Sequence, residues 1–401
     1  MNKTEIKDTI LSEVSKEIDL WLDKSETIED GYEYETEFIE TARRVSKILF
    51  SKSLGDTSSN RNKKKKLQTC FGKIEINKNH VLCNHTSVFG ITAKMQEIIC
   101  LLAQNEVFED AQETLLNLLG LAVSAKQIQR VSEHFGEKLE DLEKEYQEKE
   151  EEAPMVVPKD SQEIVYPMID GSMVFTRENG WKEMKVGRIY SESSRVKIQR
   201  KRIEVMASVY ICTFGSYKDF LKKFKPYLSQ YKQKVFIADG AKWIWNWIEE
   251  NYGADCVQIL DFFHAVEKLS AFATLNYKDA TKRRRWIELQ KQRLKADEIE
   301  SIIADLKNIV TKTKQAQNAL QDVIRYYENN IKRMKYETFL QKGYLIGSGA
   351  IESAHRNVIQ QRLKLSGQRW SISGAQQIAN LRAYKKSNRW KTIVNQIKKA
   401  A

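Results

Sequence analysis

VFIADGAKWIWNWIEENYGADCVQILDFFHA, Val235 to Ala265, decides the fold. It opens as a short β-branched and aromatic strand, Val235 to Ala238, and stops at Asp239-Gly240. A helix over Ala241 to Asn251 follows, carrying Trp243, Trp245 and Trp247. A second apolar strand, Cys256 to Leu260, delivers Asp261, with His264 three residues on. Strand, acid, helix, strand, acid is the order of a parallel α/β unit. Ligands and reacting groups gather at the carboxyl ends of such strands, so Asp239 and Asp261 stand where a site belongs.

Working outward, Ile164 to Ile169 reads as an apolar strand ending in Asp170-Gly171-Ser172. Met184 to Tyr190 and Ile203 to Phe214 read as further strands, and Tyr217 to Tyr231 as a helix. Three meandering strands followed by alternating units predict a ribonuclease-H-like α/β core. The Gly-rich fingerprint of a dinucleotide-binding fold is absent. Downstream, Lys278 to Lys342 is polar and helical, with a basic run at Lys282 to Arg285. It predicts an all-helical insertion over 276–342, leaving 160–275 plus 343–390 as one catalytic domain. Gly343 to Gly349 breaks the insertion, and a new helix, Ala350 to Leu365, carries Glu352 in its first turn.

The N-terminal part reads as a mainly helical DNA-binding region. Residues 1–50 predict two helices, 51–67 a basic linker that includes Lys63 to Lys66, and 68–152 a further helical segment. Within it, Val107 to Leu119 is amphipathic, Gly120 turns the chain, and Ser124 caps a helix from Ala125 to Phe135. That layout over 107–135 is helix-turn-helix-like and points Lys126, Gln127, Gln129 and Arg130 outward for DNA; a plain helical hairpin has the same signature. Lys138 to Glu152 is a charged helix, and Pro154 and Pro158 mark the boundary after it.

The bulk properties agree with a nucleic-acid partner. The formal net charge is +12, and basic faces release counterions from phosphates. Five cysteines without a CxxC pair argue against a disulfide framework and for a reducing cytoplasm. No apolar run reaches the length of a membrane span, and MNKTEIKDTI has no signal-peptide core. Cys70, His80, Cys83 and His85 are poorly spaced for a zinc site, so zinc is not expected.

Asp170 and Asp239 end strands expected to lie side by side. Two adjacent carboxylates stay ionised most readily around a shared divalent cation. With Glu352 as a third oxygen donor, the set suits two Mg²⁺ or Mn²⁺ ions and phosphodiester hydrolysis or transesterification. Taken singly, an Asp-Gly pair more often makes a turn. Asp261 and His264, one helical turn apart, would sit beside the metals, His264 touching a phosphate or leaving group; otherwise they are an N-cap and a core histidine. Trp243 and Trp247 share a helix face and read as packing, with Trp245 pointing away. Arg356, Arg362, Lys364 and Arg369 would contact DNA backbone, or else form a solvated helix face.

YPMIDGS at 166–172, ADGAKWIW at 238–245, ILDFFHAVEKL at 259–269 and IGSGAIESAHRNVIQQRLKLSGQRW at 346–370 together carry a resemblance. Over roughly residues 68–390 the chain resembles bacterial insertion-sequence transposases of the Mutator-like DDE superfamily, ISKra type. The resemblance implies catalytic, metal-binding Asp170, Asp239 and Glu352, and an Asp-x-x-His motif at Asp261 and His264. It further implies cutting at terminal inverted repeats, joining to target DNA, a homodimer or higher oligomer on double-stranded DNA, and a bacterial, nucleoid-associated location. The paired cysteines often found upstream in such proteins are missing. An inactive descendant that only binds DNA is the alternative, and a two-carboxylate glycosidase the competing enzyme class.

Overall fold

The computed structural model describes residues 2–54, 64–84, 86, 89–148, 162–199 and 202–399. His85, Lys63, most of the expected linker, the acidic run at 149–152, Pro154 and Pro158 lie outside the described residues. The chain divides into two compact units. The first holds residues 1–141, 373–382 and 389–401; the second holds 142–372 and 383–388.

The first unit begins with α1 (Lys3–Ser25) and α2 (Gly31–Ser53), capped by Asn2 and Asp30 side chains. Lys24–Glu37, Arg44–Glu17 and Lys52–Glu13 ion pairs join the two as an antiparallel hairpin. β1 (Lys64–Thr69) and β2 (Gly72–Asn77) then pair antiparallel and bury Leu67, Ile74 and Ile76. The reading of 51–67 as linker therefore fails at both ends. Residues 51–53 finish α2, and Lys64–Leu67 are strand, because alternation with buried Leu67 and pairing to β2 hold them in place. Three helices follow: α3 (Ala93–Ala103), α4 (Phe108–Leu119) and α5 (Ala125–Glu148). Gly120 closes α4 in the left-handed conformation, φ 64°, which favours glycine. The predicted helix, glycine turn and second helix are thus present, with α5 longer than expected. Ile128, Val131 and Phe135 are buried while Lys126 and Arg130 are exposed and Gln127 and Gln129 half-buried.

The second unit is built on a mixed five-stranded sheet. β3 (Ile164–Thr176) and β4 (Gly180–Ser191) form a long hairpin, a separate small hairpin joins β5 (Arg195–Gln199) to β6 (Arg202–Val205), and β7 (Val209–Phe214) returns to the main sheet. The expected strand 203–214 is therefore two strands in two sheets. After α6 (Tyr217–Phe224), which ends just before Pro226, come β8 (Gln233–Ala238), α7 (Lys242–Asn251) and β9 (Cys256–Leu260). The order across the sheet is β7-β4-β3-β8-β9, antiparallel among the first three and parallel among the last three.

α8 (Phe262–Asn276) leaves the sheet. The four helices α9 (Ala280–Lys295), α10 (Ile299–Lys307), α11 (Lys314–Glu328) and α12 (Tyr336–Gln341) follow, so 276–342 is helical as read. Tyr327 Oη donates to the Ala265 carbonyl at 2.9 Å, fixing α11 on α8. α13 (Gly349–Ala354) packs on β3 and β4, continues as a π-helical turn over His355–Gln360, and closes in α14 (Gln361–Leu363). α15 (Ile372–Lys386) and α16 (Trp390–Lys399) end the chain. Trp245 does not point away into solvent. It is buried, with the Arg333 guanidinium 4.4 Å from its ring centre, because the insertion covers that side of α7. No helix among the described residues is long and apolar enough to cross a membrane.

Candidate active site

The sheet register sets the acids. Met168 pairs with Ile237 across β3 and β8, and Ile237 with Ile259 across β8 and β9. Two residues further on, Asp170, Asp239 and Asp261 fall in one row. Asp170 shares the sheet face of Met168, while Asp239 and Asp261 come just past the ends of β8 and β9, near enough for the charges of Asp170 and Asp261 to act on Asp239.

Asp170 does not end its strand, as the sequence suggested. β3 runs on to Thr176 through its hairpin with β4, where Asp170 faces Val186. It is β8 that ends here, and its end opens the space beside Asp170. Asp239 follows the last residue of β8 and accepts from the Ala241 N–H at 3.0 Å. Only the second Asp-Gly pair turns the chain, with the Asp239 side chain accepting from the N–H two residues on. Gly171 continues the strand, and at Gly240 an added Cβ would meet the Tyr326 ring of α11. Gly240→Ala is accordingly expected to cost about 1–3 kcal/mol by overpacking, read as a lower melting temperature.

The two carboxylates have different environments. Burial pushes Asp170 up, but the His355 imidazole, 3.1 Å from Oδ2, the Gly171 N–H, 2.7 Å from Oδ1, and the charge of His264 outweigh it. Its carboxyl is held below the ordinary value. Burial raises Asp239; the Ala241 N–H and His264 oppose this, while the charges of Asp170 and Asp261 add to it. Half-buried acids pushed apart in this way are what acid–base and metal sites use.

Asp261 is a clamp. Its side chain is 1% exposed and N-caps α8 through the Phe263 N–H at 2.7 Å. The second oxygen accepts from the Ser348 N–H at 3.1 Å and from the Ser348 hydroxyl. His264 sits next to it on α8, part-exposed and 3.1 Å from Glu267, so it is not a core histidine.

Glu352 lies in the first turn of α13 and is exposed. Among the described residues no group of three or more His, Cys, Asp or Glu side chains is gathered closely enough to hold a metal. The residue α13 does bring to Asp170 is His355, one turn after Glu352. Sequence reading missed it, although the Glu352-x-x-His355 spacing puts both on one helix side. The π turn starting at His355 is a feature frequent at functional sites.

The basic residues after Glu352 divide. Arg356, Lys364 and Arg369 are exposed. Arg362 is not available to DNA: it is 1% exposed, its guanidinium 4.9 Å from the Trp370 ring centre. Arg362→Ala is expected to lower stability by about 1–3 kcal/mol, in a denaturant melt, without changing the salt dependence of DNA binding. Away from this site, His80 Nδ1 caps a short 3₁₀ turn, and Cys83 Sγ donates to the Asn77 carbonyl at 3.3 Å. No protein-family model and no curated protein matches the chain.

Proposed function

We propose that this chain is a DDE transposase that cuts DNA at the ends of a mobile element and joins them to target DNA. The observation that carries the reading is the row of acids: Asp170 within β3 and Asp239 just after the end of β8, the strand paired to it. Three antiparallel strands continued by two parallel ones support the ribonuclease-H-like interpretation of the core. Two carboxylates in such a row fit a hard divalent cation, and Glu352 on the adjoining helix is the third donor. A bound Mg²⁺ or Mn²⁺ pair would lower the pKa of water or a 3′-hydroxyl and offset charge on the leaving oxygen. In this reading Asp170 and Asp239 hold the cations and His355 keeps Asp170 ionised and aimed. His264, on the next helix, reaches the scissile phosphate or leaving group. Exposed Arg356, Lys364 and Arg369 contact the strand's backbone.

The test is cutting of labelled duplex carrying the element's own ends, with Mg²⁺, with Mn²⁺ and with EDTA. Metal-dependent strand breaks at the ends are expected. Binding without cutting under both metals would leave a DNA-binding descendant instead. In the first unit, Lys126 and Arg130 on α5 are the proposed phosphate-binding side chains. Replacing both with Ala is expected to reduce the slope of log affinity against log salt by about 0.9 per residue replaced.

A further inference from the structure

The sheet face that carries Asp170 also carries Arg188, since Met168 pairs with Arg188 in the β3–β4 register and Arg188 with Tyr210 across β4 and β7. There the sheet, the start of α13 and the β5–β6 hairpin enclose a cleft of about 590 Å³. Arg188, Tyr190 and Tyr210 form its floor; Ser353 and Asn357 line one wall, and Arg195 and Glu204 the other.

Several of its buried donors are unpaired. Tyr190 is 0% exposed, yet its hydroxyl has no partner among the described residues, and the buried Nε of Arg195 has none either. Arg188 gives Nε to Ser208 at 2.9 Å and Nη1 to the Ala350 carbonyl at 2.6 Å, which leaves Nη2 for a further acceptor. Buried donors in native proteins are nearly always satisfied, so unpaired ones around a single cleft point to a ligand rich in acceptors. The ring faces are already taken. Tyr166 stacks on Tyr190 at 5.4 Å between centroids, and the Arg188 guanidinium lies 5.4 Å and 5.3 Å from the Tyr190 and Tyr210 centroids. Stacking of a nucleobase is therefore not what the cleft offers. Two guanidiniums face one carboxylate, Glu204, although Glu192 engages part of Arg195.

We propose that this cleft binds a phosphate group, with Tyr190, Arg188 and Arg195 donating to its oxygens. The volume exceeds that of bare phosphate and leaves room for the sugar of a phosphate ester. The ester could be a DNA strand or a free nucleotide. Such binding does not depend on the cutting reaction.

The test is isothermal titration of the full chain with inorganic phosphate, with a nucleoside monophosphate and with single-stranded DNA, at fixed ionic strength. Tyr190→Phe removes one hydroxyl and keeps the ring, and is expected to weaken phosphate binding roughly tenfold with an unchanged melting curve. Glu204→Gln is expected to tighten it. DNA that competes with phosphate and loses affinity in Tyr190→Phe would identify a strand phosphate; a nucleotide that does so while DNA does not would identify a free ester. Absence of phosphate, nucleotide and DNA binding in wild type, or binding unchanged in Tyr190→Phe, would overturn the proposal. No readout involves cleavage, so a chain that cuts nothing still gives a clear answer.

Discussion

Asp239→Asn is expected to abolish metal-dependent DNA cutting, by about 10³-fold or more, and to raise the melting temperature in EDTA. The first part follows from losing a cation donor: metal charge stabilisation is worth several kcal/mol, and each 1.36 kcal/mol is tenfold in rate. The second follows from the folded environment. Burial, with Asp170 and Asp261 nearby, raises the Asp239 carboxyl above its ordinary 3.8. A raised acid binds its proton more tightly folded than unfolded, so stability is gained as pH falls through the folded value and the ionised form is a cost at neutral pH. Asparagine removes that cost, and its oxygen can still accept from the Ala241 N–H. A gain of about 1 kcal/mol would appear as roughly 2–4 °C in a domain of this size.

Asp170 is shifted the other way. Burial works against its ionisation, but His355, Gly171 N–H and His264 prevail. Its contribution to stability is present above the unfolded value near 3.8 and is lost as pH falls through the lower folded one. Asp170→Asn should therefore melt lower than wild type at pH 7, and the difference should vanish in acid. Melts of both variants from acid to neutral pH, in EDTA, check the pair. Two variants shifted in the same direction would mean that the acids are not distinguished by His355.

What the sequence made legible is what depends on local pattern. Val235 to Ala238, Asp239, the Trp-bearing helix and Cys256 to Leu260 read directly, since apolar runs, a Gly break and helical spacing are local signals. The helical insertion was equally plain. What failed depended on distant partners. Asp170 was read at a strand end because Asp-Gly usually stops a strand, and only pairing with β4 carries β3 on to Thr176. Arg362 sat in a basic stretch indistinguishable from a solvated face, and its burial requires Trp370. Trp245 needed Arg333, far along in the insertion. His355 was overlooked because its meaning lies in touching a carboxylate on another element. The row of Asp170, Asp239 and Asp261 is half legible: the acids stand out in the sequence, but their meeting at the ends of β8 and β9 depends on the register of distant strands.

Asp261→Ala is expected to cost about 3 kcal/mol or more in stability, the largest loss of any single change at the site. The carboxylate holds the end of the sheet to the segment that launches α13. Around it, Asp261 N–H donates to Ala238 and Phe262 N–H to Ile346, each at 2.9 Å. Ser348, N-cap of α13, is buried and gives its N–H and hydroxyl to Asp261. Truncation would strand these two donors and the Phe263 N–H, and each unsatisfied buried donor costs about 1–3 kcal/mol. The damage should spread along α13 to His355, so that Asp170 loses its partner and its carboxyl rises toward the ordinary range. Asp261→Asn separates a clamp from a metal donor, because the amide oxygen can still cap α8 while the charge is gone. A clamp predicts that Asp261→Asn melts lower but cuts DNA at saturating Mg²⁺ with little change in its metal requirement. A metal donor predicts near-normal melting with a large rise in the Mg²⁺ concentration needed. A denaturant melt and a Mg²⁺ titration on the same preparation decide between them, and the geometry favours the clamp.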